Sequence, residues 1–375
     1  MTADVIVVGA GLVGTMTTLC LTEAGADVTL LEASFPGGGS SGAAMGHVVV
    51  MDDTPAQFAL CNYSRARWQD LSDSLPAAAE YDGCGTLWIA ADDRELEGAT
   101  ERATQYWAAG VAAEIVDAQA LRELEPQLRP DLAGALLVPG DGVCYPPAVA
   151  RAISARAASL GARVQLGSVV QSIESNAVRL QDGTTLHAGA IVIAAGVAST
   201  YLVPGLPIVP RKGHLVISDR TPGFVRHQLV ELGYLRSAHT FGGSSVAFNV
   251  QPRRNGQVLI GSSRELVGTD SSINRSLVAT MLARATEYMP GVAELRALRT
   301  WIGFRPATPD KLPLIGPWPQ LPGAWIAAGH EGLGITMATG TAELIVAGIT
   351  GKPAPIDPLP YRPDRTMPSM GHLAA

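Results

Sequence analysis

Gly9, Gly11 and Gly14 follow an apolar run at residues 5–8, and Glu32 closes a second apolar run at residues 28–31. This spacing is what a dinucleotide site requires. A buried strand turns sharply into a helix. Gly9 permits the turn, Gly11 lets backbone approach a pyrophosphate, and Gly14 lets the helix pack close to the sheet. The helix start offers unpaired N–H groups and a partial positive charge to phosphate oxygens. A carboxylate at the end of the next strand can bind ribose hydroxyls. The motif does not by itself separate FAD from NAD.

A second stretch of interest follows at residues 35–47. Ser40, Ser41, Ala43, Ala44 and Gly46 leave room for a large flat ligand. Serine hydroxyls and bare N–H groups there can meet phosphates. The stretch ends in either a helix start or a second close approach of backbone.

Composition narrows the rest. The chain has 375 residues, 47% of them hydrophobic and 16% charged, which suffices for two domains or one large interleaved pair. The net charge is −7 and no Lys/Arg run occurs, which argues against a nucleic-acid partner. Lysine is confined to Lys212, Lys311 and Lys352. Cys20, Cys61, Cys84 and Cys144 form no CxxC and read as core or neutral residues of a reducing compartment, so no metal site is expected. No apolar run has membrane-spanning length, and the expectation is a cytoplasmic protein.

These motifs need a particular scaffold. Helices are expected from Gly11 to Gly25, over 57–75 and 94–109, from an Asp117 cap through Leu124, and from Pro146 to Leu160. Strands are expected over 85–90, 164–166, 171–174 and 177–180, then after the Asp182-Gly183 turn at 185–187, and at 191–196. From His214 to Ser263 the pattern is mostly β. A helix over 274–288 precedes a strand leading to Arg305, a strand over 324–328 and a last helix to about Gly348. Glycines end apolar strands at 9, 196 and 329, which one nucleotide can touch only if its domain is discontinuous. The expected class is α/β, with a Rossmann-like nucleotide domain and an inserted α+β substrate domain carrying a mostly antiparallel sheet. The boundaries are 1–82, 143–212 and 303–375 for the first, 83–142 and 213–302 for the second.

Taken together, the glycine loop with Glu32, the Ser-Ser-Gly-Ala-Ala-Met-Gly stretch, Ile-Val-Ile-Ala-Ala-Gly196, Gly303-Phe-Arg305-Pro306-x-x-Pro-Asp310 and Ala328-Gly-His-x-Gly-Leu-Gly-Ile-Thr336 resemble the D-amino-acid oxidase superfamily of flavoproteins. The match spans nearly the whole chain. The branch it most resembles holds glycine oxidase and the β subunits of bacterial opine and hydroxyproline dehydrogenases. Met45-Gly46-His47, Asp52-Asp53 and a helix with Tyr63 and Trp68 look most like the D-hydroxyproline dehydrogenase type.

The resemblance implies FAD, held non-covalently: the tethering Cys of sarcosine oxidases lies near the C-terminal loop, and no Cys follows Cys144 here. It implies that Gly9, Ala10, Gly11, Val13 and Gly14 line the pyrophosphate, that Glu32 takes the adenosine ribose, and that Ala33 is among the cofactor-binding residues. Ser40, Ser41, Met45, Gly46 and His47 would pass along the ribityl and flavin portion. Val169 would contact adenine, and Ala195 and Gly196 would border the cofactor. His330, Gly332, Leu333, Gly334, Ile335 and Thr336 would surround the flavin, where N–H groups at a helix start favour the charge that builds on reduction. Arg305 would clamp a substrate carboxylate with both guanidinium edges. His47, Asn249 and Glu331 complete the implied substrate site. Asn249 stands where glycine oxidase places a Tyr, which puts glycine itself in doubt.

The function this implies is oxidation of the Cα–N bond of a D-amino or cyclic imino acid, D-proline or cis-4-hydroxy-D-proline before others, by hydride transfer to the flavin. Oxygen or a carrier would reoxidise it, with partner subunits or a homo-oligomer in view. Glycine, sarcosine or opine oxidation, an NAD enzyme, and an FAD-holding subunit of a larger complex are the alternatives.

Overall fold

The computed structural model describes residues 3–51, 53–233 and 244–368. Asp52 lies outside the described residues. The fold is α/β and rests on two large sheets.

The first sheet runs Leu314–Pro317, Ala324–Ala328, Thr185–Ile193, Ala3–Val8, Val28–Glu32, Arg163–Leu166. Along this run neighbours are parallel except Leu314–Pro317, which pairs antiparallel at the edge; off the run, Ala177–Leu180 pairs antiparallel with Thr185–Ile193 and with Val170–Glu174. Val5, Ile6, Val7 and Val8 are all buried, as a strand covered on both faces requires.

Small residues let the helix Leu12–Glu23 lie close on this sheet. A Cβ on Gly14 would stand 1.9 Å from the Gly9 carbonyl oxygen and 3.3 Å from Ala194 Cβ. Gly9 itself has φ +99°, a conformation side chains resist. Buried threonines in the helix satisfy themselves: Thr17 and Thr18 hydroxyls donate to the carbonyls of Val13 and Gly14, each at 2.8 Å. The helices Ala338–Thr350 and Pro146–Ser159 pack against this one.

The second sheet runs Ala297–Ala307, Val209–Arg220, Gln257–Arg264, Ser245–Pro252, Gln228–Glu231, Thr86–Ala90, Gly134–Val138, Glu114–Asp117. It is antiparallel apart from the pairing of Gln228–Glu231 with Thr86–Ala90. Its two longest strands run straight through positions 212/213 and 302/303, where a change of domain was expected.

One expectation is corrected and one open alternative is decided. Residues 185–187 and 191–196 are not separate strands. The chain continues as Thr185–Ile193 because its first part pairs with Ala177–Leu180 while its second part is enclosed by Ala3–Val8 and Ala324–Ala328. The stretch after the small-residue loop is not a helix start. Gly46 has φ +109°, and a Cβ there would meet the Cys144 carbonyl oxygen at 2.0 Å, so two backbones touch. Among the described residues no helix is long and apolar enough to cross a membrane.

Gly14→Ala is expected to cost stability through overpacking, about 1–3 kcal/mol or more, because the obstruction is backbone. Thermal unfolding with and without added FAD checks this; an unchanged melting temperature would remove the contact from its structural role.

Candidate functional site

The carboxyl ends of the parallel strands define the site, as expected where a doubly wound sheet changes winding direction. A cavity of about 520 Å³ runs along them. His330, Ala194 to Gly196, Gly9, Glu32 and Ser168 succeed one another in the order of the strands that carry them.

Most expected cofactor residues line this cavity: Gly9, Gly11, Val13, Glu32, Ala33, Ser40, Ser41, Met45, Gly46, His47, Val169, Ala195, Gly196, His330, Gly332, Gly334 and Ile335. The helix Leu12–Glu23 opens on it with Gly11 as N-cap, which has no side chain to cap with, and no acid in its first turn; of its first amides Ser41 Oγ takes that of Leu12. Such a start fits a pyrophosphate. Glu32 is fixed by two amides, accepting from Ala10 N–H at 2.7 Å and Ser34 N–H at 2.8 Å, and its remaining lone pairs can take ribose hydroxyls. Ser41 Oγ accepts from Leu12 N–H at 3.0 Å and keeps its proton to donate. Ser40 Oγ has given its proton to the Phe304 carbonyl at 2.7 Å. Of the two, only Ser41 can donate to a phosphate.

Ala10, Gly14, Leu333 and Thr336 do not line the large cavity. Ala10 and Gly14 support it from beneath. Thr336 is a tie: its buried hydroxyl donates to the His47 carbonyl at 3.0 Å and accepts from Val49 N–H at 3.1 Å. Trp68 Nε1 donates to the carbonyls of Ile335 and Thr336 at 3.1 and 3.0 Å. The last helix starts only at Ala338, and turns carry the chain there from Gly332. Tyr201, not expected from the sequence, lines the large cavity, as Val169 does.

The other end of the cavity meets the second sheet. Arg305 lies in the strand Ala297–Ala307 and donates to the Ser263 carbonyl at 3.0 Å. Its guanidinium occupies space that only a glycine leaves, since a Cβ on Gly213 would stand 2.4 Å from Nη1. His47 Nε2 and Asn249 Nδ2 are 3.4 Å apart. Glu331, with φ +48°, holds Arg211 at 3.2 Å and accepts from Gly332 N–H at 2.7 Å. Left-handed backbone on a residue with a side chain marks a place that the surroundings impose, commonly a working site.

A smaller cavity of about 80 Å³ adjoins the large one, sharing His47, Asn249, Glu331 and Gly332. Leu333 lines this one. So do Arg211, Arg264, Lys311, Asp53, Gln57 and Gln228, all missed in the sequence.

With this geometry the family model of FAD dependent oxidoreductases (DAO) matches residues 4–347. The chain belongs to that family. Glycine oxidase of Pseudomonas aeruginosa is 28% identical over 386 residues, covering 97% of this chain and 99% of its own length. D-amino acid dehydrogenase of Rhizobium johnstonii is 28% identical, covering 80% of this chain and 71% of its own. The crystal structure of glycine oxidase from Geobacillus kaustophilus superposes with a TM-score of 0.88 at 25% identity, over 98% of this chain and 100% of that one. The chain is an FAD-dependent amino-acid oxidase or dehydrogenase.

Burial holds His47 down to about 4, with the Arg305 charge adding to the effect, and holds His330 down to about 3. Both are neutral at pH 7. His330 serves its own loop through Thr341 Oγ1 at 2.9 Å. For Glu331 burial pushes upward, but Arg264, Arg305 and Arg211 outweigh it and keep the carboxyl ionised.

The two histidines bind protons in the unfolded chain below pH 6.5 that the folded chain refuses until about 4. Stability is therefore full above pH 6.5 and falls as pH drops. The melting temperature should decline over that interval, and less steeply in His330→Asn, which has no imidazole there; equal slopes would contradict the assignment.

Proposed function

We propose that this flavoenzyme oxidises the Cα–N bond of a D-amino or cyclic imino acid, with Arg305 as the anchor for the substrate carboxylate. The observation that carries the reading is the place of Arg305. It stands on the wall of the FAD-sized cavity, beside the loop His330–Ile335 and opposite Asn249 and His47. A guanidinium there can take both carboxylate oxygens and fix the α-carbon against the cofactor.

FAD, when bound, would supply the two-electron acceptor for hydride from the α-carbon. The residues of the chain have orienting tasks. Arg305 holds the acid. His47 is neutral at pH 7, and Asn249 Oδ1 is buried and unmatched. Asn249 Oδ1 can receive a hydrogen bond from the substrate amine, whereas His47, whose Nε2 faces the Asn249 amide N–H, carries its proton on Nδ1 and donates from there. Gln228, which faces His47 in the adjoining cavity, has a second lone pair on Oε1 that can receive a hydrogen bond from a ring hydroxyl. These atoms support D-proline or cis-4-hydroxy-D-proline as substrates. The imine product of a cyclic acid is a pyrroline; that of a linear acid hydrolyses.

Arg305→Ala should raise KM for an amino-acid substrate about 10- to 100-fold, the equivalent of a charged hydrogen bond of about 1.5–3 kcal/mol, with a smaller change in kcat. Anaerobic flavin bleaching measures both constants, and an unaltered KM would strip Arg305 of its role.

The flavin should leave the protein on acid precipitation, because none of the four cysteines lines the cavity. Yellow colour retained in the pellet would mean a covalent bond.

A further inference from the structure

The wall that carries Arg305 has an irregular seam behind it. Residues of the strand Val209–Arg220 alternate between its faces, so that Arg211 and Gly213 look into the cavities while Lys212 and His214 look the other way. His214 and Ser263, on the neighbouring strand Gln257–Arg264, are both fully buried. Polar groups so placed persist only with their hydrogen bonds made.

Strand register shows what is unusual there. Lys212 and Glu265 exchange both backbone hydrogen bonds, each at 2.9 Å. Two residues further along, a regular antiparallel ladder brings His214 opposite Ser263 and gives the His214 amide to the Ser263 carbonyl. Here the His214 N–H donates to Ser263 Oγ at 2.9 Å, and the Ser263 carbonyl accepts from Arg305 Nη1 at 3.0 Å. Pairing resumes at Val216 and Ile260, which leaves Leu215 alone against Gly261 and Ser262. A bulge of this kind re-aims groups beside a working site.

The His214 ring holds the same hydroxyl a second time. Its Nε2 accepts from Asn274 N–H at 3.0 Å, which puts the ring proton on Nδ1, 2.9 Å from Ser263 Oγ. Burial, with the charges of Lys212 and Arg305, holds the imidazole below its ordinary value against the pull of Glu265. Ser263 Oγ therefore accepts from both the amide and the ring of one residue and is fixed in direction.

We infer that Ser263 and His214 are positioning residues for the substrate anchor: the Ser263 hydroxyl takes the ladder bond that its own carbonyl would take, and frees that carbonyl to fix one edge of the Arg305 guanidinium. This rests on Arg305 as the anchor of the substrate carboxylate and deepens that reading. Without the hydroxyl, the buried His214 amide turns to the carbonyl as in a regular ladder and draws it into the sheet, away from Arg305. The loss falls on the binding of the acid and leaves hydride transfer nearly as it was.

Two measurements on the holoenzyme test it: titration of the flavin spectrum with propionate, and anaerobic flavin reduction by D-proline and D-alanine. Ser263→Ala is expected to raise the propionate dissociation constant and KM about five- to tenfold, with kcat within about twofold of the unaltered enzyme. Ser263→Thr, which restores the hydroxyl, should bring both back to within about threefold. In an Arg305→Ala background Ser263→Ala should add nothing, because the two residues act as one unit. Where Ser263→Ala fails to hold flavin, Ser263→Cys takes its place, since a thiol accepts hydrogen bonds only weakly.

Unchanged propionate binding in the Ser263 variant, an equal loss in Ser263→Thr, or the same loss repeated on top of Arg305→Ala overturns the positioning role. If Arg305→Ala itself leaves propionate binding unchanged, the anchor falls and the positioning role with it. Failure of every amine to reduce the flavin defeats the oxidation reading alone, and the propionate titrations still decide on Ser263.

Discussion

The cofactor side of this molecule depends on one van der Waals contact, that of Gly14 with the carbonyl of Gly9 and the methyl of Ala194. Nothing larger than hydrogen fits between them. The contact lets the helix Leu12–Glu23 start directly over the strand end and face its first amides into the cavity. Glycine is costly inside a helix, by about 1 kcal/mol relative to alanine. The chain accepts that cost because the dipole has to be brought within reach of the ligand. Neighbouring threonines, folded back on the carbonyls behind them, keep this crowded helix free of unsatisfied hydroxyls.

The substrate side is built by length instead of closeness. The strands Val209–Arg220 and Ala297–Ala307 pair over most of their extent and deliver Arg211, Gly213 and Arg305 to one place. Gly213 contributes by what it lacks, since its missing side chain is the space the Arg305 guanidinium fills. The loop after Ala324–Ala328 reaches the same place from the other sheet and sets Glu331 against Arg211. Thr336 and Trp68 secure that loop, one to the His47 segment and one from within the helix Pro55–Ser72. Cofactor and substrate walls are thus held by the same ties, and neither can shift alone.

Much of this was legible in the residues. Asp117 caps its helix through Ala120 N–H and Asn274 caps another through Leu277 N–H, both local signals that survive folding unchanged. The strand Ala324–Ala328 and the glycine loop were equally plain, because each is specified by its own few residues. Arg211, Arg264, Lys311, Asp53, Gln57 and Gln228 were not. They come from separate strands, turns and the helix Pro55–Ser72, and only the tertiary fold brings them together. A charged residue in an alternating strand reads as a solvent-facing position, and no local pattern reveals that its solvent side is a cavity. The short strands Glu114–Asp117 and Gly134–Val138 escaped for a similar reason: they are completed by partners distant in sequence.

The proposal that Glu32 takes the adenosine ribose carries a further consequence. Held by Ala10 and Ser34 amides, its carboxylate cannot swing aside to make way for another anion. A coenzyme bearing an extra phosphate on that sugar would press one fixed negative charge against another, with no arginine among the described residues lining that stretch of wall to compensate. The pocket thereby refuses phosphorylated nicotinamide nucleotides at the door, by electrostatics alone, before any difference between their rings and an isoalloxazine comes into play.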